Sequence, residues 1–358
     1  MIKHPIIEED IKRIIHALGD EARGLEGKTL LISGGSGFLG SYWVGTIHSL
    51  NKIFKKPCRV ISIDNYITGS REKLVHDIHD NAITFIEGDI TKSLNHIEGP
   101  VDYIVHAAGL ASPFYYKKYP LETIEAAISG SKNLLELARE KKPTGFLFFS
   151  SSEIYGDPDE KHVPTPETYK GNVACIGPRA CYDESKRLSE TLCSIYHERF
   201  GVPVKIVRPF NVYGPGMKID DYRVLPSFAN RGLRGESLRV HGTGNQTRTF
   251  SYISDAIIGF WKALLLGKSG QVYNIGMDEG EVTMEQLAQM VAEVIGNGIK
   301  VELIDYPDSY PSDEPRRRCP DITKARKELA FSPVVGLKHG VERTMQWYKD
   351  TYPDVHRI

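Results

Sequence analysis

The sequence predicts an α/β protein: a doubly wound parallel sheet, with a smaller α/β domain toward the C-terminus. Three observations carry that reading. Short, continuous apolar runs recur over the first two thirds of the chain, at 28–33, 59–64, 101–106 and 145–151, and helical stretches alternate with them. Strands that read as unbroken apolar runs are buried on both faces, which calls for helices above and below a parallel sheet. A glycine-rich turn joins the first run to the helix after it, while from Asn211 onward glycine and proline are frequent and loops dominate.

Taken in order, Ile6, Ile7, Ile11, Ile14, Ile15 and Leu18 fall at helical spacing, so an amphipathic helix over 6–18 precedes the sheet and ends at Gly24 and Gly27. The segment 28–33 is the first strand, Gly34 to Gly40 the turn, and 41–53 a helix. Strands two to four are 59–64, 83–87 and 101–106; a helix over 121–140 leads to strand five at 145–151. A helix running from Tyr182 to about Phe200 precedes strand six at 204–207. Beyond Asn211, 271–275 reads as a strand and 284–295 as a helix. The expected division is an N-terminal helical extension (1–26), a sheet domain (27–210, with segments returning near 250–276) and a smaller domain (211–249 and 277–350).

Composition narrows the function. With 41% hydrophobic residues the 358-residue chain can bury a large core, and 25% charged residues at a net charge of −1 argue against both disorder and a nucleic-acid partner. Arg316-Arg317-Arg318 is too short a basic run for a nucleic-acid face and suits a local anion site. No run approaches the ~20 apolar residues that span a bilayer, and the N-terminus carries acids where a signal peptide has its apolar stretch. Five cysteines, an odd number without metal-type pairing, predict reduced thiols in a cytoplasmic protein with no metal.

The turn Ser33-Gly34-Gly35-Ser36-Gly37-Phe38-Leu39-Gly40 follows a strand and opens a helix. Glycines there allow the tight turn and let backbone N–H groups approach a pyrophosphate at the positive end of the helix. The second strand ends in Asp64, 24 residues after Gly40, where a carboxylate accepts hydrogen bonds from an adenosine ribose and repels a 2′-phosphate. The sheet is therefore expected to be of the Rossmann type and its cofactor NAD rather than NADP. Asp89-Ile90 after strand three fits an adenine contact, and Ala107-Ala108-Gly109 after strand four fits a wall of small residues against the cofactor.

Tyr182-Asp183-Glu184-Ser185-Lys186 is the strongest chemical signal. Positions i and i+4 share a helix face, so Lys186 lies beside Tyr182. A phenol that titrates near ~10 in water becomes a usable base when an ammonium and an oxidised nicotinamide stabilise the phenolate. Ser150-Ser151-Ser152, at the end of strand five, supplies a hydroxyl for the same substrate oxygen.

Together the glycine turn, Asp64, the serine strand and the Tyr182/Lys186 helix resemble the extended short-chain dehydrogenase/reductase family. Within it the chain is most similar to the UDP-glucuronate decarboxylases, or UDP-xylose synthases. The matching stretches are Asp64-Asn65-Tyr66-Ile67-Thr68-Gly69, residues 152–158, Ile176-Gly177-Pro178-Arg179-Ala180-Cys181-Tyr182-Asp183-Glu184, residues 210–215 and residues 244–250. The similarity spans about residues 27–348. It implies an NAD site formed by Gly34, Gly37, Phe38, Leu39, Gly40, Asp64, Asn65, Thr68, Gly69, Asp89, Ile90, Ala107, Ala108, Tyr182 and Lys186. It further implies Ser151 as the hydroxyl partner of Tyr182, Glu153 over the sugar and Arg248 at the sugar acid or diphosphate. Asn211 and Arg318 would bind the diphosphate, with Leu225 near the base. A homodimer joined by the helices near 121–140 and 182–200 is implied as well. The chain departs from the family at Ser151, where relatives carry threonine. It departs again at Glu125-Ala126-Ala127, where they show Lys-Thr-Asn; a carboxylate facing the sugar there would repel an acidic substrate.

The expected activity is decarboxylation of a UDP-uronic acid through a 4-keto intermediate with NAD recycled. A 4,6-dehydratase needs an Asp-Glu doublet where this chain has Ser152-Glu153, and a 4-epimerase needs only the redox pair and room for the ketone to turn. A non-catalytic NAD-sensing regulator is the reading outside enzymology; such proteins lose the tyrosine or lysine kept here.

Overall fold

A computed structural model describes residues 3–69, 78, 80–306 and 315–354. Residues 1–2 of the N-terminal extension and 307–314 of the C-terminal segment lie outside the described residues. Among the described residues the strands are β1 (Thr29–Ser33), β2 (Arg59–Asp64), β3 (Ile83–Glu87), β4 (Tyr103–His106), β5 (Gly145–Phe149), β6 (Val204–Pro209), β7 (Val212–Tyr213), β8 (Leu238–His241), β9 (Thr247–Arg248), β10 (Ser251–Tyr252), β11 (Gln271–Ile275), β12 (Val282–Thr283), β13 (Val301–Ile304) and β14 (Arg317–Arg318). The helices, also in chain order, are α1 (Pro5–Leu18), α2 (Phe38–Asn51), α3 (Pro113–Lys118), α4 (Pro120–Lys141), α5 (Ala180–Phe200), α6 (Val224–Leu233), α7 (Ile253–Leu266), α8 (Met284–Ile295), α9 (Thr323–Leu329) and α10 (Leu337–Thr351).

Seven strands form one parallel sheet in the order β3-β2-β1-β4-β5-β6-β11. Successive side chains point to opposite faces of a strand, and here both faces are buried. Leu30, Ile32, Leu147 and Phe149 enter a core with Trp43 of α2 and Trp261 of α7, whose ring centroids are 3.8 Å apart. Leu31, Phe146 and Phe148 enter the opposite core with Leu134 and Leu135 of α4 and Cys193 of α5. Truncating a buried tryptophan such as Trp43 or Trp261 to alanine costs about 3–5 kcal/mol. The winding reverses between β1 and β4, the place where an open α/β sheet leaves a crevice at its carboxyl edge. The register sets Ser33 against Ile63 and His106, so the loops after β1, β2 and β4 leave the sheet at one level. The doubly wound fold expected from the sequence is therefore the fold observed.

The differences are local. α1 ends at Leu18, where the periodicity over 6–18 ends; Gly19 turns the backbone to φ 51°, and a tighter helical turn, not foreseen from the sequence, covers Gly19–Leu25. α2 begins at Phe38, three residues ahead of the expected start, since Gly37 already caps it. β5 ends at Phe149, which releases Ser150–Ser152 into the turn that follows.

Helix α1 is docked on α2 and α7 through Ile7, Ile11, Ile14 and Leu18. Its buried Asp10 accepts from Tyr252 Oη (2.9 Å) and Arg343 Nη2 (3.1 Å), and burial raises its carboxyl to about 6. Toward the C-terminus, β8 pairs with β13, and β9 lies between β12 and β14 in a small three-stranded sheet. α6 and α8 pack on β8. These elements face the carboxyl edge of the main sheet across a cleft.

Candidate active site

The cofactor side is built from backbone. Gly34 has φ 76° and donates its N–H to Ile63 O at 2.8 Å; a Cβ there would stand 2.7 Å from Ala108 N. Gly40 packs so closely on Gly34 O that a methyl group would collide with it. Gly37 caps α2 without a side chain, and the first bond of the helix is Ser41 N to Gly37 O at 3.0 Å. The amides of Phe38, Leu39 and Gly40 thus have no carbonyl one turn back and point to the helix's positive end. That end opens on a cavity of about 300 Å³ lined by Gly37, Phe38, Leu39 and Gly40. An adjoining cavity of about 100 Å³ is lined by Asp64, Asn65, Thr68, Asp89, Ile90 and Ala108. Ala107 borders both cavities, and Gly69 stands against the Asp64 carboxylate. Asp64 accepts from Ser36 N and Tyr66 N, each at 2.9 Å; burial raises its carboxyl, opposed by those two amides and by the charge of Lys218. Donor amides beside an acceptor carboxylate, at the switch point of the sheet, fit a dinucleotide with a pyrophosphate and a free ribose diol.

Tyr182 and Lys186 sit in the first turns of α5, both buried. Tyr182 shares a hydrogen bond with Ser151, and burial pushes its phenol up against the lowering effect of that hydroxyl. Lys186 Nζ is 5.9 Å from the Tyr182 ring centroid and donates to Phe149 O at 2.7 Å; burial brings its ammonium down to about 8. A Cβ on Gly109 would stand 3.4 Å from Lys186 Nζ, which places the ammonium at the seam between the cofactor cavities and the tyrosine. Lys186 thus lies beside Tyr182, flanking the ring and anchored to β5.

Beyond Tyr182 opens a cleft of about 470 Å³, lined by Glu153, Tyr182, Asn211, Leu225, Arg248 and Arg318 among others. Every residue expected at the sugar is on this wall except Ser151, which reaches it through Tyr182. The three arginines of the run take different partners. Arg316 pairs with Asp157 (3.0 Å) and Arg317 with Glu281 (2.8 Å), while Arg318 turns into the cleft. Pairing of β14 with β9 sets Arg318 in register with Arg248. Arg248 donates to Thr247 O (2.8 Å) and Pro315 O (2.5 Å), so it is held in place by the turn it bridges.

The sequence matches the NAD dependent epimerase/dehydratase family over residues 30–276. The chain belongs to that family. It is 43% identical over 312 residues to UDP-glucuronic acid decarboxylase 5 of Arabidopsis thaliana, covering 87% of this chain and 86% of the relative. It is 38% identical over 322 residues to UDP-glucuronic acid decarboxylase 1 of Xenopus tropicalis, covering 90% of this chain and 72% of that one. Among solved structures, the UDP-glucuronic acid 4-epimerase of Bacillus cereus, in complex with UDP-glucuronic acid and NAD, superposes with a TM-score of 0.76 at 26% identity; 90% of this chain and all of that one are covered. The dTDP-glucose 4,6-dehydratase DesIV of Streptomyces venezuelae, with NAD bound, gives a TM-score of 0.79 at 26% identity, with 91% and 98% covered. As a member of this family the chain uses NAD.

One expectation is corrected within this family frame. Glu125 does not line the sugar cleft; with Ala126 it borders the small cavity of Asp64 and Asp89, on the cofactor side. Helix α4 turns Ala127 inward instead, where its carbonyl accepts from Ser189 Oγ at 2.7 Å. Glu153, expected over the sugar, lines the cleft and has both carboxylate oxygens accepting from guanidinium groups: Oε2 from Arg179 and Arg318, Oε1 from Arg318.

Three groups were missed from the sequence. Tyr116 of α3 stacks on Tyr182 with centroids 5.5 Å apart. Arg223 enters the cleft wall, held in a fork by Asp221 at 2.8–2.9 Å. Beneath the serine turn, Glu190 accepts from Ser150 Oγ (2.5 Å) and Arg208 Nη2 (2.6 Å), and Arg208 reaches Tyr155 Oη at 2.6 Å. The turn that carries Ser151 and Glu153 is thereby tied to α5 and β6. Of these, Tyr116 and Arg208 carry no motif-level signal; they are recognised only once the strands are assembled.

Proposed function

We propose that this protein is an NAD-dependent decarboxylase that converts UDP-glucuronate to UDP-xylose through a 4-keto sugar, with the cofactor regenerated in each cycle. The observation that carries the choice is the Ser152-Glu153 turn beside Tyr182: Ser152 offers no acidic proton for eliminating water, and Glu153 is fixed between two arginines. The cleft suits an acidic ligand. Lys117, Arg179, Arg223, Arg239, Arg248 and Arg318 line it against the single carboxylate of Glu153 among the described lining residues, a charge balance that favours a diphosphate together with a sugar acid.

NAD, held by the glycine turn and Asp64, supplies the hydride acceptor and donor. Tyr182 takes the C4 hydroxyl proton, with Ser151 orienting the same oxygen and the Lys186 ammonium stabilising the phenolate. A ketone at C4 lies beta to the C5 carboxylate, so cleavage of the C5–C6 bond releases carbon dioxide and leaves an enolate that Tyr182 and Ser151 hydrogen-bond. Arg248 and Arg318 hold the diphosphate and acid, Asn211 the diphosphate, and Leu225 packs by the base. Guanidinium groups do not release protons, and the Glu153 oxygens are engaged as acceptors, so water brings the proton to C5.

The reading extends to organisation. The segments 27–210 and 250–276 serve the cofactor, while 211–249 and 277–350 serve the nucleotide sugar. Helices α4 and α5 pack side by side and leave Leu121, Leu188, Ile195 and Phe200 exposed, a surface suited to a homodimer. Five free thiols suit the cytoplasm.

Incubation with UDP-glucuronate and NAD tests the proposal. Carbon dioxide, a UDP-pentose lighter than substrate by that mass and no build-up of NADH are expected. A product of equal mass means a 4-epimerase instead, and loss of water from a neutral nucleotide hexose means a dehydratase.

A further inference from the structure

Glu153 is gripped from two directions by residues far apart in sequence. It lies in the short turn Ser152–Tyr155 after β5, where Ser151 Oγ accepts from its backbone N–H at 3.2 Å. From one side comes Arg318 of β14, whose Nη2 is 2.8 Å from Oε2. From the other comes Arg179, the residue before α5, which pairs with Oε2 and also reaches Asp183 Oδ2 from Nε at 3.4 Å. Both arginines are almost fully buried, at 6% for Arg179 and 4% for Arg318. Arg318 is already assigned to the sugar nucleotide, whereas Arg179 has so far been counted only in the charge of the cleft and as a partner of Glu153.

We propose that Arg179 is a positioning residue: it fixes the Glu153 carboxylate against the reacting sugar and acts on the reaction only through Glu153. This rests on the decarboxylase reading for its substrate but not for its logic. Three features of the geometry argue for it. A glutamate on a short turn has three rotatable bonds; Arg318 grips both of its oxygens from one strand, and Arg179 adds a hold on Oε2 from a second element, so the carboxylate is fixed against two parts of the fold rather than one. Arginine carries donors and no acceptor, so a carboxyl proton on either oxygen would displace one of the clamps; the clamp therefore keeps Glu153 as an acceptor. Arg179 is itself aimed by Asp183, one residue after Tyr182, so the base and the carboxylate are set by adjacent residues of one helix. A residue that aims another is expected to change kcat, because displacements near 1 Å from the productive geometry cost about 10²-fold.

The test is a double-mutant cycle on the full chain, combining Arg179→Met and Glu153→Gln, with UDP-glucuronate as substrate. Arg179→Met alone is expected to lower kcat about 10- to 100-fold with KM changed less than about threefold. In the Glu153→Gln background the same change is expected to cost less than about twofold, since the carboxylate that Arg179 positions is gone. Arg179→Lys, which keeps one charged donor, is expected to recover part of the loss. Each variant's NAD affinity and melting temperature report whether it is folded, and if Arg179→Met does not fold, the cycle is read with Arg179→Lys. Additive losses in the double variant would overturn the proposal, as would a rise in KM at unchanged kcat, which would mean that Arg179 binds substrate directly. If the wild type does not decarboxylate UDP-glucuronate, the reading above fails, and the same cycle run on whichever nucleotide sugar the enzyme does turn over still decides the role of Arg179.

Discussion

On the cofactor side of the cleft the working groups are backbone amides and small residues at the ends of β1 to β4, each within a few positions of the strand that presents it. On the sugar side they are long charged side chains from separate segments: Glu153, Arg179, Arg223, Arg248 and Arg318. The first side is held by the sheet register itself, and its glycines are required because Gly34 and Gly40 leave no space for a Cβ. The second is held by ion pairs and by two-residue strands such as β9 and β14. A dinucleotide common to a whole family is met by backbone, and a particular sugar is met by side chains that substitution can change without disturbing the sheet.

The largest effect is expected at the seam between the two sides. Tyr182→Phe should retain NAD and the fold, yet lose about 10²–10⁴-fold in kcat, the range for removing a general base; near-normal turnover would detach the tyrosine from the chemistry. The pH profile adds a check. Lys186 is brought down to about 8 by burial, so its ammonium is charged below that pH and neutral above it, and kcat should fall as pH rises through about 8. In Lys186→Arg, whose side chain stays charged, the basic limb should move to higher pH.

Next in size is the sugar side. Arg248→Ala removes a charged donor from the cleft wall, in the proposed reaction the one at the diphosphate or acid, and hydrogen bonds to charged groups are worth about 1.5–3 kcal/mol. A drop of roughly 10- to 100-fold in kcat/KM for UDP-glucuronate is expected, with NAD affinity unchanged; equal losses for both ligands would blur the division between the sides.

Much of the first side was legible and less of the second. The turn from Gly34 to Gly40, Asp64 and the Tyr182/Lys186 pair are local patterns whose spacing dictates their geometry, and all lie where the spacing places them. Arg318 could be singled out from its neighbours only by resemblance, because what sorts Arg316, Arg317 and Arg318 is the pairing of β14 with β9, a contact across about 70 residues. Glu125 was misread for the same reason: its position in the sequence says that it lies on α4, but only the packing of that helix says which cavity it borders.

A smaller effect is expected at Asp64. NAD should be preferred over NADP, and Asp64→Ala should narrow the ratio of affinities about tenfold, one factor of ten corresponding to about 1.4 kcal/mol. The nearby charge of Lys218 then meets the 2′-phosphate without an opposing carboxylate. An unchanged ratio would take Asp64 out of the ribose site. The smallest effect is expected at Glu125→Lys, since an exposed charge pair contributes about 0–1 kcal/mol: KM for UDP-glucuronate should shift no more than a few-fold. A large fall in KM would place that residue at the sugar after all and redraw the boundary between the sides.

The two-residue pairing of β9 with β14 also bears on how the molecule comes to exist. Such a ladder has too few bonds to hold by itself, and it joins residues some 70 positions apart, so the closure entropy of that loop must be met before the ladder gives anything back. The sheet around β1 to β5 can close without it. The arginine wall is then expected to be among the last parts of the chain to settle, with Arg248 in register with Arg318 and the carboxylate of Glu153 between Arg318 and Arg179. An anionic nucleotide entering the cleft neutralises those charges and spans both strands at once, so it works as a late staple. Ligands that bind only the native form raise its stability by RT ln(1 + [L]/Kd). Added UDP should therefore raise the melting temperature, and do so less as salt is increased and the charges it bridges are screened.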